Sequence, residues 1–310
     1  MSEELEPRES MEFDVVIVGG GPSGLCSAIR LKQIDPDINV VVLEKGAEVG
    51  AHILSGAVMD PIAIDRLFPD WREESDHPMQ VPVKSDSFYL MGEGGKIPLP
   101  TWAMPPLMNN HGNFIVSLGN VCRWLAEKAE ALGVEVFPGF AASEVLYNEA
   151  GAVIGVATGD MGIQRDGTPG PNFERGVELH GKYTLIGEGA RGSLAKRIIK
   201  RYELNAKSSP QKYGLGFKEL WQIDPAKHDA GKVLHSLGWP LKNNQDGGSF
   251  IYHIEDNQVY VGYVVALGYK NPYLNPFAEF QKFKTHPMVA DLLEGGKRLS
   301  YGARAITQGG

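Results

Sequence analysis

The chain has 310 residues, a hydrophobic fraction of 43% and a formal net charge of −8 at pH 7. This length can bury a large core in one or two domains, and the acidic balance excludes a general nucleic-acid binder. No apolar run approaches the roughly 20 residues of a transmembrane helix, and the two cysteines cannot supply all the thiolate ligands of a cubane iron–sulfur cluster.

The first part of the chain, residues 1–11, is acidic and has neither the apolar core of a signal peptide nor the Arg-rich composition of a transit peptide. It predicts a disordered leader. Asp14–Val18 follows as an apolar, β-branched run, which is typical of a strand buried on both faces.

A glycine-rich turn comes next, with Gly19, Gly21 and Gly24 at G-x-G-x-x-G spacing and an apolar helical pattern over Pro22–Ile34. Gly19 permits a tight turn, Gly21 lets the backbone approach a pyrophosphate, and Gly24 lets the helix pack close to the strand. The N-terminus of the helix offers free N–H groups and a positive dipole end to phosphates.

A second buried strand over Asn39–Leu43 ends in Glu44. A carboxylate at this distance from the glycines can accept both hydroxyls of an adenosine ribose, and it would repel a 2′-phosphate. Strand, turn, helix and acidic residue together predict a dinucleotide-binding site that disfavours NADP.

Two irregular segments follow. In a dinucleotide fold the chain that leaves the second strand can cross toward the far end of the cofactor. Ser55-Gly56 can therefore present backbone amides to a flavin ring, and the alternative is that this segment is a packed surface loop.

Further on, an apolar knot interrupts a loop-like stretch. It predicts either a core plug or an exposed patch that meets a membrane or a partner, and it consists of Trp102, Met104, Pro105, Pro106, Leu107 and Met108.

The middle of the chain alternates helices and strands. We predict an amphipathic helix over Leu118–Leu132, and a hairpin whose strands are Glu144–Asn148 and Ala152–Thr158. Residues 159–176 read as a polar, Gly-rich loop. A strand over Lys182–Ile186 then leads through Gly187-Glu188-Gly189 to a helix with Ser193 as its N-cap, which is a second place where backbone packs near the cofactor.

The last third is rich in β-strand patterns. Runs between Gln211 and Leu267, separated by turns, predict an antiparallel sheet beside the dinucleotide fold. Such a sheet can cover a cofactor and form one wall of a substrate cavity. Asn275-Pro276 opens a helix that reaches about Lys284, and no regular element is expected at the end of the chain.

These motifs resemble one known family over almost the whole chain. The sequence is similar, from about residue 13 to 310, to the N-terminal half of electron-transfer flavoprotein:ubiquinone oxidoreductases. The stretches that carry the resemblance include VVIVGGGPSGL, EKGAEVGAHILSGAV, MNNHGNFIVSLGN, FERGVELHGKYTLIGEGARG, GGSFIYH, NPYLNPFAEFQKFK and EGGKRLSYGARA.

The resemblance implies an α/β fold: an FAD-binding Rossmann-like fold of the glutathione-reductase type with an inserted antiparallel-sheet quinone-binding domain. It implies the leader over 1–11, an FAD-binding domain over 12–205 with a membrane-facing loop near 97–112, the quinone-binding domain over 206–290, and a return toward the FAD domain over 291–310.

It also implies particular site residues. The quinone headgroup would lie at Gly247 and Gly248, and the membrane-facing side chains would be the apolar knot at 102–108. No catalytic side chain and no metal ligand are expected in this chain. The residues expected to contact FAD are Gly19, Gly21, Pro22, Ser23, Gly24, Glu44, Lys45, Leu54, Ser55, Gly56, Ala57, Glu188 and Gly189.

The implied activity is that of an electron-transferring-flavoprotein dehydrogenase, which passes electrons from reduced electron-transfer flavoprotein through FAD to ubiquinone at the membrane surface. The family also carries a 4Fe–4S cluster and a second FAD-contacting segment, both in a C-terminal portion beyond residue 310. We therefore expect a C-terminally truncated chain. Because the sequence shows no transit peptide, we expect a bacterial enzyme that is peripheral on the cytoplasmic face of the inner membrane.

Two other functions remain open at this point. A related FAD-dependent enzyme, such as a prenyl (geranylgeranyl) reductase or a flavin monooxygenase, shares the dinucleotide fold and an apolar cavity. Cysteines with ferredoxin-like spacing downstream would favour the quinone reductase over this alternative. The second open function is that of a non-catalytic FAD-binding fragment. Measuring whether the chain retains FAD on purification would test this function.

Overall fold

The computed structural model describes residues 7–54, 56–242 and 244–308, together with all of their side chains except that of Ala103. Within these residues the chain forms eighteen strands and six α-helices. The helices are α1 (Pro22–Ile34), α2 (Ile62–Leu67), α3 (Leu118–Ala131), α4 (Ser193–Arg201), α5 (Pro276–Phe283) and α6 (Pro287–Leu293).

The strands belong to four sheets in the described part of the chain. Their bounds are β1 (Ser10–Val18), β2 (Val40–Glu44), β3 (Gly56–Met59), β4 (Val81–Pro82), β5 (Ser85–Met91), β6 (Lys96–Leu99), β7 (Phe114–Ser117), β8 (Glu135–Pro138), β9 (Ala142–Tyr147), β10 (Val153–Thr158), β11 (Met161–Ile163), β12 (Pro169–Glu174), β13 (Glu178–Ile186), β14 (Lys212–Gln222), β15 (Lys232–Gly238), β16 (Gly247–His253), β17 (Gln258–Ala266) and β18 (Lys297–Gln308).

The chain divides into two compact units, each built from two separate stretches. The first unit comprises 1–52 and 121–208, and the second comprises 53–120 and 209–310. This division differs from the predicted FAD domain over 12–205, because the stretch from 53 to 120 packs with the C-terminal strands. Within the second unit β18 pairs with β14 along its length, and the predicted return of 291–310 toward the FAD domain stays a prediction.

The first unit is a Rossmann-like sheet in the order β8-β2-β1-β13-β10-β9. Strands β8, β2, β1 and β13 run parallel, and β10 and β9 add an antiparallel edge. The neighbouring strands β1 and β2 are buried on both faces: Val16 and Ile17 of β1 and Val41 and Val42 of β2 are fully buried. This burial explains why their sequences are continuous apolar runs rather than alternating patterns.

Three local predictions in the first unit are corrected by the structure. The end of the expected disordered leader is ordered, because Ser10 and Met11 pair with β13 and Arg8 forms an ion pair with Glu144; residues 1–6 of that prediction lie outside the described residues. Residues 159–176 contain the hairpin β11–β12 instead of an irregular loop. The N-cap of α4 is Gly192, and Ser193 is the first helical residue.

The second unit contains a seven-stranded sheet in the order β18-β14-β17-β16-β15-β5-β6 and a three-stranded sheet, β3-β7-β4. Neighbours in the larger sheet are antiparallel except for β15 and β5, which run parallel. One face packs against α5 and α6 through a core that includes Tyr263, Phe280 and Phe283. The prediction of no terminal element was wrong, since β18 is a strand of 12 residues.

Candidate functional site

The glycine turn after β1 is built by close backbone contacts. Gly19 has φ +112, and a Cβ there would lie 2.4 Å from the carbonyl oxygen of Gly187. A Cβ on Gly24 would lie 2.1 Å from the carbonyl oxygen of Gly19, so α1 approaches β1 as closely as the sequence predicts. A Cβ on Gly21 would meet nothing within 4 Å. The open space beside Gly21 fits a group that approaches the backbone, as a pyrophosphate does.

The residues that follow Gly21 begin α1 and are accessible. Pro22 occupies the first turn of the helix, and both Pro22 and Ser23 are exposed. Proline at this position removes no helical hydrogen bond, because the first N–H groups of a helix have no partner within it. The turn therefore offers accessible backbone and the helix N-terminus on the same side.

Glu44 ends β2 and holds the turn together from the second strand. Its Oε2 accepts a hydrogen bond from the Gly20 N–H (3.0 Å), and its Oε1 accepts one from the Gly46 N–H (2.7 Å). A carboxylate oxygen has more than one lone pair, so these bonds leave capacity for hydroxyl donors. The ribose-binding role of Glu44 stays a prediction, and sequence reasoning missed this structural role. Lys45, next along the chain, is exposed.

The turn after β13 lies beside the glycine turn. The Gly187 N–H donates to the carbonyl oxygen of Val18 (2.7 Å). The Glu188 carboxylate accepts hydrogen bonds from the Ser193 and Ala195 N–H groups (3.1 and 2.8 Å) and so caps α4. The predicted cofactor contacts of Glu188 and Gly189 remain predictions, and the structure adds a capping role for Glu188.

The predicted flavin-facing residues Leu54, Gly56 and Ala57 belong to the second unit, and Ser55 lies outside the described residues. A Cβ on Gly56 would lie 2.0 Å from the ring of Tyr260, so packing within this unit already requires glycine. Lys218 donates to the Gly56 carbonyl oxygen (3.5 Å), and burial lowers the pKa of its ammonium group.

Gly247 and Gly248 open β16, between β15 and β17. A Cβ on Gly247 would lie 2.3 Å from the Val264 carbonyl oxygen, and one on Gly248 would lie 2.7 Å from the Ser236 carbonyl oxygen. The sequence analysis explains these glycines by the room that a planar ring needs. In the structure, neighbouring backbone accounts for the absence of side chains, and the contact with a quinone remains a prediction.

The apolar knot at 102–108 forms two short 3₁₀ turns, Thr101–Ala103 and Pro106–Met108. Trp102 is 88% exposed and Leu107 is 98% exposed, which excludes the core-plug interpretation for these two side chains. Pro105, Pro106 and Met108 are exposed as well, and Met104 is half-buried. No helix in the described parts of the chain is long and apolar enough to span a bilayer.

A polar cluster that sequence reasoning missed lies in the second unit. His235 Nε2 is 2.8 Å from the Tyr252 hydroxyl, and His235 Nδ1 is 3.9 Å from Asp86 Oδ1. Asp86 Oδ2 accepts a hydrogen bond from the Asn110 side-chain amide (2.7 Å). Asp86, Tyr252 and His235 come from β5, β16 and β15, so only the paired sheet brings them together.

Burial governs the charge states in this cluster. Burial lowers the pKa of His235, and the negative charge of Asp86 acts in the opposite direction. Burial also raises the pKa of the Tyr252 hydroxyl, which is therefore neutral and able to donate a hydrogen bond. Among the described residues, this cluster included, no three His, Cys, Asp or Glu side chains are placed to hold a metal ion.

The fold and the glycine turn together define a class, the proteins with a dinucleotide-binding Rossmann-like domain. A family model for the NAD(P)-binding Rossmann-like domain matches residues 17–80. Among solved structures, a geranylgeranyl bacteriochlorophyll reductase-like protein from Thermoplasma acidophilum aligns with a TM-score of 0.68 at 16% identity, over 96% of this chain and 67% of that one. The flavin-dependent brominase Bmp2 aligns with a TM-score of 0.62 at 13% identity, over 96% and 67%. At these identities the likeness shows the fold alone.

Sequence comparison finds relatives of much higher identity. The chain is 57% identical to the mitochondrial electron transfer flavoprotein-ubiquinone oxidoreductase of Dictyostelium discoideum (99% of this chain, 51% of that protein). It is 53% identical to the Pseudomonas aeruginosa oxidoreductase of the same name (98% and 56%). The model of the ubiquinone-binding segment of this family matches residues 213–306. Along nearly its whole length the chain is similar to electron transfer flavoprotein-ubiquinone oxidoreductases, and it spans about half the length of these relatives.

Proposed function

We propose that the protein carries electrons from reduced electron-transfer flavoprotein to ubiquinone, with FAD as its redox cofactor. The observation that carries this proposal is identity above 50% along nearly the whole chain to oxidoreductases of that name, including the ubiquinone-binding segment at 213–306. In such an enzyme the flavin supplies the electron-transfer chemistry, and the protein binds and orients it.

The residues of the first unit would hold the adenosine diphosphate half of FAD. The open backbone at Gly21 and the start of α1 would receive the pyrophosphate, and Glu44 would accept the ribose hydroxyls. Pro22, Ser23 and Lys45, all exposed, would line this site. The close approach of the turns at Gly19 and Gly187 supports this assignment, because it places packed backbone next to the start of α1.

The residues of the second unit would serve the electron acceptor. Leu54–Ala57 would approach the isoalloxazine ring, and the strand that begins at Gly247-Gly248 would meet the quinone headgroup. The match of residues 213–306 to a ubiquinone-binding segment supports the second assignment.

The exposed side chains of Trp102 and Leu107 would contact lipid and place the protein at a membrane surface. The presence of bacterial proteins among its relatives is compatible with the cytoplasmic face of a bacterial inner membrane. The family's 4Fe–4S cluster would lie in the half of the relatives that this chain does not span.

Flavin spectroscopy on the full-length protein tests the function. Reduced electron-transfer flavoprotein should bleach the oxidised-flavin absorbance, and a soluble ubiquinone analogue should restore it. Bleaching by NADH alone would contradict the assigned donor, and failure of the quinone to restore the absorbance would contradict the assigned acceptor. Reduction of an isoprenoid double bond would instead identify a prenyl reductase.

A further inference from the structure

His235 and Gly248 lie on one face of the seven-stranded sheet, which we name the Phe250 face. His235 pairs with Phe250 across β15 and β16, and Gly248 precedes Phe250 by two residues on the same strand. Side chains two residues apart share a face. By this register Gly248 is the diagonal neighbour of His235, about 7–8 Å away. Both residues fall in the ubiquinone-binding segment at 213–306.

His235 is both oriented and accessible. Its ring stacks on Phe88 with a centroid distance of 6.0 Å and meets the Tyr252 ring edge-on at 5.4 Å. The hydrogen bond between Nε2 and the Tyr252 hydroxyl fixes the plane of the ring. The side chain of His235 nevertheless retains 27% exposure, whereas that of Asp86 retains 8%. An oriented, partly exposed imidazole can exchange protons with a neighbouring ligand and with water.

The carboxylate of Asp86 gives the imidazole a stabilising partner when it is charged. An imidazole held between a hydroxyl and a buried carboxylate is the arrangement that acid–base enzymes use to move protons. Asn110 fixes the carboxylate through its side-chain amide, so Asp86 stays in place when His235 changes charge. On the elements packed against His235, the titratable groups that face it in the described residues are Asp86 from β5 and Tyr252 from β16.

We infer that His235 is the proton-transfer group for the quinone, with Tyr252 and Asp86 as positioning residues. The reaction balances as one quinone plus two electrons and two protons giving one quinol, the electrons coming from the reduced flavin. Nε2 is held by Tyr252, so Nδ1 of the protonated imidazole gives one proton to the quinone oxygen that it faces and is then reprotonated from water, while the para oxygen of the quinone takes its proton directly from water. This role rests on the proposed function and adds to it the source of the protons.

The central test compares full-length, FAD-loaded wild type with His235→Gln. The amide keeps a polar group near Tyr252 but cannot carry a titrating proton. We expect quinone-dependent reoxidation to slow by about 100-fold or more, the usual contribution of general acid–base catalysis. Flavin reduction by electron-transfer flavoprotein should be unchanged. His228→Gln is the matched control, because His228 is a half-buried histidine of the same unit whose Nε2 contacts the Ile254 carbonyl oxygen.

A pH profile separates proton transfer from a merely structural role. Reoxidation needs protonated His235, so its rate should fall as pH rises through the pKa of that group. Asp86→Asn removes the charge that raises this pKa, and the falling limb should therefore move to lower pH. Tyr252→Phe should change the rate while retaining the limb. A solvent isotope effect on reoxidation should disappear in His235→Gln, where proton transfer no longer involves the imidazole.

The outcomes distinguish the two levels of the proposal. A His235→Gln protein that reoxidises within twofold of wild type, with the same pH profile, would refute the role of His235 and leave the proposed function standing. Loss of quinone analogue binding in this variant, measured by calorimetry, would assign His235 to binding and also refute proton transfer. A wild-type protein that never passes electrons to quinone would refute the proposed function and this role with it.

Discussion

The glycine turn provides the sharpest prediction, because two of its glycines differ in what surrounds them. Gly21 has φ −84 and ψ 178, values that alanine adopts, and a Cβ there would meet nothing within 4 Å. Replacing Gly21 by Ala stiffens the unfolded chain and weakens the helix cap, two effects that offset each other to within about 1 kcal/mol. The folded state of Gly21→Ala should therefore be as stable as wild type.

The same substitution should weaken FAD binding, because the methyl group would occupy the space that the pyrophosphate needs. Losing one charge-assisted hydrogen bond of about 1.5–3 kcal/mol lowers affinity by about 10- to 150-fold. Calorimetry with FAD on the apoprotein of the full-length chain measures this loss, and urea unfolding measures stability. Gly24→Ala is the contrasting variant: its Cβ would lie 2.1 Å from the Gly19 carbonyl oxygen, so stability itself should fall by about 1–3 kcal/mol or more. Wild-type FAD affinity in Gly21→Ala would refute the placement of the pyrophosphate.

Three further predictions concern stability and membrane contact. Glu219 is 2% exposed and forms an ion pair with Lys284. Glu219→Ala should therefore lower the free energy of unfolding by about 3–5 kcal/mol, and the double variant Glu219→Leu with Lys284→Met should recover much of this loss. An equal loss in both proteins would contradict the ion-pair argument. Burial, reinforced by neighbouring positive charge, lowers the pKa of His253 from 6.5 to about 4. Between these two pH values the imidazole of His253 is protonated in the unfolded chain and neutral in the folded protein. Wild type should therefore lose about 3 kcal/mol of stability as pH falls from 6.5 to 4. In urea unfolding across that range His253→Gln should lack this part of the slope, and identical slopes would contradict it. Replacing both Trp102 and Leu107 by Ser should weaken vesicle binding in flotation assays by at least about 10-fold and leave the stability of the protein unchanged. The reason is that each side chain contributes about 1.5–3 kcal/mol when it is buried in lipid. Unchanged flotation would exclude lipid contact.

Local signals in the sequence were sufficient for the dinucleotide-binding elements. The predicted helix over Pro22–Ile34 has the observed bounds, because proline at the first position and the glycines before it fix where the helix begins. The predicted second strand is shifted by one residue from the observed β2, which reaches Glu44. The residues of this helix and of this strand, together with the short turns beside them, are enough to specify both elements.

Elements that depend on distant partners were missed. The exposed strand β6 and its neighbour β5 lie in a stretch rich in Pro and Gly, and β5 is held by parallel pairing with β15, far along the chain. Pairing with β14 likewise makes a strand of 297–308, although each of its residues is exposed or half-buried. No local pattern reports such pairing, since strand propensity depends on the neighbouring strands.

The candidate site was predictable in its glycines and not in its polar cluster. The spacing of Gly19, Gly21 and Gly24 carries its own meaning, because each position has a separate steric requirement. Asp86 and His235, by contrast, are joined only through the β5–β15 register. Their meeting depends on tertiary structure, which a single sequence without long-range information does not reveal.

The two-stretch construction of each unit sets an order for folding during synthesis. Ser10 of β1 pairs with Glu178 of β13, so the central strand of the first sheet lacks this neighbour until the ribosome has added the intervening chain. At about 5–20 residues per second this wait lasts roughly 10 to 30 seconds. During that time the apolar edge of β1 is open to wrong partners, which makes the nascent chain a candidate for chaperone binding. A slower-translated message should therefore raise its aggregation, although the finished fold is the same.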